Sequence, residues 1–192
     1  MIVALIPWNF FTTAVQTGTG CVVANGNILK KVYFPREIIP ISITTSQLVN
    51  FLITCLIMFV FILFSGVGFS IHILLLPLII LIQFLLTLAI NFILSALTVY
   101  AHDIDHFVSV AMTLGFYATP IVYLSSMLPA KFQWAMHANP MAVLVESYRS
   151  VLYYHQLPDF FWLGIWGAIS LIGVIICYKI FKKLEKTFVE EL

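Results

Sequence analysis

From Ile38 to His102 the chain carries no Asp, Glu, Lys or Arg, an uninterrupted 65 residues. An α-helix rises about 1.5 Å per residue and needs about 20 apolar residues to cross the ~30 Å hydrocarbon layer of a bilayer. The run is too long for one crossing and suits two, with Ser65-Gly66-Val67-Gly68-Phe69-Ser70 as the place to turn. Composition agrees. Of 192 residues, 9 are Lys or Arg and 8 are Asp or Glu. A soluble domain of that length would carry about a quarter charged, or roughly 48. Hydrophobic residues make up 62% and the mean hydropathy is +1.07. A water-soluble globule of this size cannot hide so much apolar side chain. A net charge of +1 likewise excludes the concentrated cationic footprint of a nucleic-acid binder.

Three further uncharged runs follow the same logic: Met1–Leu29, His106–Ala130 and Phe160–Tyr178. The expected fold is an all-α integral membrane protein, a single domain over 1–192. Its five transmembrane helices are expected near 2–23, 41–64, 74–99, 106–124 and 160–181, and the strand alternation of a barrel is absent. Lys and Arg set the orientation. With the loop 24–40 and the tail after 181 in the cytoplasm, that side holds Lys30, Lys31, Arg36, Lys179, Lys182, Lys183 and Lys186, leaving Lys131 and Arg149 outside. The outer segment 125–159 reads as a short re-entrant or interfacial helical hairpin. Pro129 opens a short helix through Lys131, Phe132 and Trp134. Asn139 then caps, and Pro140 begins, a second helix from Met141 to Tyr154 that Pro158 ends. On this helix Glu146 and Arg149 lie three apart on one side.

The spans are not uniformly apolar. Gln83, Thr87, Asn91 and Ser95 recur every four residues on one face, and Gln47, Asn50 and Thr54 do much the same. Ser109, Thr113, Phe116, Pro120 and Tyr123 step along one side of the fourth span. Two readings stand for such stripes: interhelical glue, or the wall of a path for a polar substrate. The aromatic candidates for that path are Phe116, Tyr117 and Tyr123, with Trp8 and Phe11 behind them; the competing reading is an interfacial aromatic belt.

Little in the chain suggests catalysis. Cys21, Cys55 and Cys177 all lie in apolar stretches and fit neither a disulfide framework nor metal-ligand spacing. The densest polar group, His102-Asp103-Ile104-Asp105-His106, falls in a tight cytoplasmic turn, and no second ligand cluster answers it. No cofactor is expected. There is no G-x-x-x-x-G-K-[ST] loop, so energy for any active transport must come from a partner. The segment from Ala24 to Glu37 suits docking of that partner. It interleaves Lys30, Lys31 and Arg36 with Leu29, Tyr33 and Phe34, then closes on Pro35 and Glu37. The plainer reading is a positive-inside anchor.

Three stretches then resemble ABC-2 type permeases: Pro7-Trp8-Asn9-Phe10-Phe11, the run from Asn27 through Lys30-Lys31-Val32-Tyr33-Phe34-Pro35-Arg36-Glu37 to Ile38, and Asn139-Pro140-Met141 with Tyr148-Arg149. The likeness is to the branch that exports lipid-linked polysaccharide such as O-antigen, capsule or teichoic acid. It implies a permease in the bacterial inner membrane, paired as a homodimer and driven by two separate ATPase subunits. Residues 24–37 would be the coupling element and 125–155 the outer gate region, with Glu146, Tyr148 and Arg149 as its gate residues. It also implies that the family's N-terminal interfacial helix and first span are not in this sequence. Tyr100-Ala101-His102-Asp103 stands where the family has Tyr-x-Arg-Asp, so that turn lacks a permanent positive charge. Export of a small amphiphile, or a truncated non-transporting subunit, are the alternatives.

Overall fold

The computed structural model describes residues 1–26, 35–64, 68, 71–101, 103–123, 133–185 and 188, and every regular element among them is helical. In chain order these are α1 (Ile2–Thr19), a short α2 (Cys21–Ala24), α3 (Ile38–Phe64), a 3-10 turn (Ile71–Leu75) that runs into α4 (Leu76–Tyr100), α5 (Ile104–Ala118), α6 (Gln133–Ala138), α7 (Pro140–Arg149), a widened π-helical turn (Ser150–Tyr154) and α8 (Phe160–Leu184). Three stretches are long and apolar enough to cross a membrane: Ile38–Phe64, Ile71–Tyr100 and Phe160–Leu184. α1 and α5 occupy the other two expected positions but are shorter, at 18 and 15 residues.

Local chemistry explains where the elements depart from the sequence reading. The fourth helix was expected to run to 124, but it stops at Ala118. Thr119 precedes Pro120, whose ring crowds a helical conformation out of the residue before it, and Thr119 is extended (φ −100°, ψ 137°). Pro120 and Tyr123 therefore lie beyond the helix and leave the stripe that Ser109, Thr113 and Phe116 form. The expected 2–23 helix breaks at Gly20 and restarts as α2. Asn139 caps α7 as expected: its Oδ1 accepts from the N–H groups of Met141 (3.0 Å) and Ala142 (3.4 Å). The helix after it is α-helical only to Arg149. It widens over Ser150–Tyr154 and ends before Pro158, at His155 in the left-handed region (φ 53°). The turn around 65–70, the start of the expected outer hairpin and most of the proposed coupling loop lie outside the described residues, Pro129, Lys131, Phe132, Leu29, Lys30, Lys31, Tyr33 and Phe34 among them.

α4 is the hub. It packs most extensively on α8 and also touches α1, α2, α3, α5 and α7. Its stripe of Gln83, Thr87, Asn91 and Ser95 is fully buried. Gln83 Nε2 donates to the Pro7 carbonyl (2.8 Å), and Gln83 Oε1 accepts from the Tyr148 hydroxyl (2.9 Å). Asn91 Nδ2 donates to the Ala14 carbonyl (3.1 Å) and to Thr44 Oγ1 (2.8 Å). Two amides thus tie α4 to α1, α3 and α7, so in this stripe the interhelical reading holds. α1 approaches closely enough that a Cβ at Gly18 would land on the Asn91 amide. Around these bonds the apolar core forms two clusters. One is centred on Trp8, Phe10, Phe51, Met58, Ile79, Leu144 and Tyr148. The other gathers Val22, Ile39, Phe92, Val99, Phe181 and Phe188 where α4 and α8 end and α3 begins. That second group marks the basic end of the bundle; the start of α1, the end of α5 and α7 share the opposite end.

Candidate conduit wall and coupling contacts

The five aromatic residues predicted for a substrate path come together. Trp8 meets Phe11 (ring centroids 5.8 Å) and, edge-on, Phe116 of α5 (6.2 Å). Phe116 in turn meets Tyr117 at 5.5 Å, and the Tyr123 hydroxyl donates to the Tyr117 carbonyl (3.2 Å). The contact between α1 and α5 depends on Gly115, where an added Cβ would sit 3.0 Å from the Trp8 ring. Trp8 and Phe11 are buried, Phe116 and Tyr123 half-buried, and Tyr117 is 72% exposed. The row therefore runs from the core to an open surface on α5. Phe107, Val110 and Leu114 of the same helix are also exposed there.

A second feature combines a stripe that was legible with residues that were missed. Gln47, Asn50 and Thr54 of α3 face Asn9 and Thr13 of α1 across a hollow of about 160 Å³. Asn9 and Thr13 lie four apart, the same signal that marked the other stripes, but they were hidden between large aromatics. Unlike the α4 stripe, Asn9, Thr13, Asn50 and Thr54 are exposed.

The residues expected at the outer gate divide. Arg149 is buried and Glu146 half-buried, with Nη1 and Oε2 3.6 Å apart. The guanidinium also donates from Nη2 to the Ile121 carbonyl (2.9 Å) and from Nη1 to the Tyr123 carbonyl (3.3 Å). Arg149 thus fastens the segment after α5 onto α7. Tyr148, expected beside it at the gate, is fully enclosed in the core against Gln83. A double-substitution cycle tests the pair. Arg149→Gln is expected to lower the melting temperature of the detergent-solubilised protein more than Glu146→Gln, because it also frees two carbonyls. The double variant should be no worse than Arg149→Gln alone, since the ion pair is already lost in that single variant; contacting residues couple by about 0.5–3 kcal/mol. Strictly additive losses would show that the two carboxylate and guanidinium groups do not interact.

At the basic end, the described part of the predicted coupling segment is held by the end of α8. Lys182 Nζ bridges Glu37 Oε1 (2.7 Å) and Glu185 Oε1 (3.0 Å). Arg36 Nη1 donates to the Glu185 carbonyl, and its guanidinium lies 5.8 Å from the centre of the Phe188 ring. The Tyr100 hydroxyl, closing α4, donates to the Leu184 carbonyl (3.0 Å), and its ring meets Phe188 edge-on at 6.1 Å. Partial burial would raise the Glu37 carboxyl, but the hydrogen bond and charge of Lys182 outweigh it and hold the group below its ordinary value. The start of α3 and the ends of α4 and α8 are thereby locked together. Pro35, by contrast, is exposed.

The sequence matches the ABC-2 type transporter family over residues 1–153. The chain belongs to that family. It is also 35% identical to the O-antigen export system permease protein RfbA of Myxococcus xanthus over 194 residues, spanning all of this chain and 75% of that protein. Two proteins of the same name from Klebsiella pneumoniae are 33% identical over 193 residues, again across all of this chain and 74% of theirs. The matched ABC-2 region takes in the aromatic row, the polar hollow, α7 and Glu37; the α8 half of the lock lies past its end.

Proposed function

We propose that this chain is the membrane permease subunit of an ABC exporter that passes a polyprenyl-linked polysaccharide outward across the bacterial cytoplasmic membrane. The observation that carries the reading is the full-chain similarity to relatives named as O-antigen export permeases. The geometry supports it. An aromatic row that ends in exposed Tyr117 and, between α1 and α3, a separate hollow of uncharged amides and hydroxyls suit a sugar chain: rings stack on sugar faces and amides bond hydroxyls without the cost of bare charge. Five helices span in this reading, α1, α3, α4, α5 and α8, with 125–159 as an outer re-entrant hairpin within one domain. The open face of α5 meets a second copy, giving a homodimer whose conduit lies between subunits. A separate ATPase subunit drives it through residues 24–37.

Two experiments test this. A strain lacking the chain is expected to lose its surface polysaccharide and to regain it on complementation. Persistence of the polymer would reject the export role. For topology, single cysteines at positions 70 and 135 are expected to react with an impermeant maleimide in intact cells, while one at position 33 reacts only after lysis. Labelling of position 33 from outside would sink the five-span arrangement.

A further inference from the structure

We propose that the hollow of about 430 Å³ at the hairpin end, walled by Ile121, Tyr123, Arg149, Tyr153 and Tyr154, is a saccharide subsite at the mouth of the conduit; the proposal rests on the export reading above. Its size falls within the ~300–1,000 Å³ of small-ligand sites, enough for a short stretch of sugar and not for a folded polymer.

The chemistry of the walls selects the ligand. Two rings stand at right angles, Tyr153 and Tyr154, with centroids 5.2 Å apart and interplanar angle 79°. They remain 59% and 40% exposed, each presenting a flat apolar face and a hydroxyl. The third element is the guanidinium of Arg149, which is 7% exposed and has Glu146 3.6 Å away. A buried cation with a carboxylate beside it and two backbone carbonyls on it makes a poor anion trap, which leaves the tyrosine hydroxyls as the exposed polar groups for neutral sugar hydroxyls. Aromatic faces together with polar donors and little net charge fit a neutral pyranose better than a phosphate or an acyl chain.

The walls are also preorganised. Arg149 pins the Ile121 and Tyr123 carbonyls, so one side cannot drift. The other side is set by the turn at His155, whose left-handed backbone is followed by a bond from the Gln156 N–H to the Ser150 carbonyl (2.9 Å). Fixed walls lower the ordering cost of binding a weak ligand. An interfacial aromatic belt would need the tyrosines alone, whereas here the arginine that fastens the segment after α5 onto α7 lines the same hollow.

The test uses the complete permease–ATPase complex in nanodiscs. Glucose, galactose, mannose, rhamnose and N-acetylglucosamine serve as probes in saturation-transfer difference NMR. At least one is expected to be saturated by the wild-type complex. Tyr153→Ala with Tyr154→Ala should weaken that signal about tenfold, as expected for loss of stacking rings. Tyr153→Phe with Tyr154→Phe should keep most of it and guard against misfolding of the first variant. Ile172→Ala, on the exposed face of α8, should change nothing. In cells, the double alanine variant should reduce surface polymer while inserting normally. No saturated probe, or equal saturation of the double alanine variant, overturns the subsite and leaves an interfacial anchor. A strain that loses its polymer without the chain, yet exports normally with the double alanine variant, rejects the subsite alone. A strain that keeps its polymer without the chain rejects the export reading and the subsite with it.

Discussion

Gly18→Ala is expected to abolish the folded, membrane-inserted protein, and Asn91→Ala is expected to restore it. The added methyl group would occupy the position of the Asn91 side-chain amide, which is fully buried and held by the Ala14 carbonyl and Thr44. The hydrogen bonds are the smaller part of the loss. Interhelical bonds between membrane helices average about 0.6 kcal/mol, whereas overpacking a tight contact costs about 1–3 kcal/mol and each stranded buried polar group about 1–3 more. Together these consume much of the roughly 5–15 kcal/mol that holds a domain. Removing the Asn91 amide vacates the space the methyl group needs, so the double variant should behave like Asn91→Ala alone. Yield of monodisperse protein in detergent, with its melting temperature, measures all three. Equal losses in the single and double variants would mean that α1 and α4 do not approach here as described.

Export is expected to collapse in Arg36→Glu and Phe34→Ala while membrane insertion is untouched. Pro35 is exposed at the described end of the proposed coupling segment, and Arg36 and Glu37 fasten that end to the end of α8. The fastening is not a source of much stability. Lys182 is more than a third exposed, and exposed ion pairs contribute only about 0–1 kcal/mol. Its value is geometric: a push on the loop must move the starts and ends of three helices together. An anchoring aromatic or arginine at such a contact is worth about 2 kcal/mol or more, roughly a thirtyfold loss. Cell-surface polymer and co-purified ATPase are scored side by side. Lost co-purification with Phe34→Ala identifies a docking residue; retained ATPase with lost export in Arg36→Glu identifies the lock as the transmitter. Normal export in both variants would reduce the loop to a membrane anchor.

The readability of this chain followed the range of the interactions involved. Charge-free runs announced α3, α4 and α8 because desolvating a charge in hydrocarbon dominates every other local preference. Asn139-Pro140 announced a helix start because capping is decided within three residues. Pro120 carries an equally local signal, masked by the apolar run that continues past it, and the extended backbone of Thr119 ends the helix there. The stripe of Gln83 and Asn91 was visible in its spacing, yet its meaning was not. The carbonyls it serves, at Pro7 and Ala14, lie 76 and 77 residues earlier. The contact that encloses Tyr148 was illegible for the same reason: nothing near it in sequence hints at Gln83, 65 residues away. Tyr153 and Tyr154 went unremarked because adjacent aromatics near a membrane surface are common, and only the arrangement around Arg149 sets them apart.

The central position of α4 has a consequence for biogenesis. Its widest partner, α8, follows it in the chain with α5, α6 and α7 between them, and the contact includes Gly167 set against Ile82, where an added Cβ would sit 3.3 Å away. Until α8 leaves the ribosome and enters the bilayer, that flank of α4 faces lipid with no fitted neighbour. The nascent protein therefore passes through a stage in which α4 is present without its widest partner, and the packing of that flank waits on the arrival of α8.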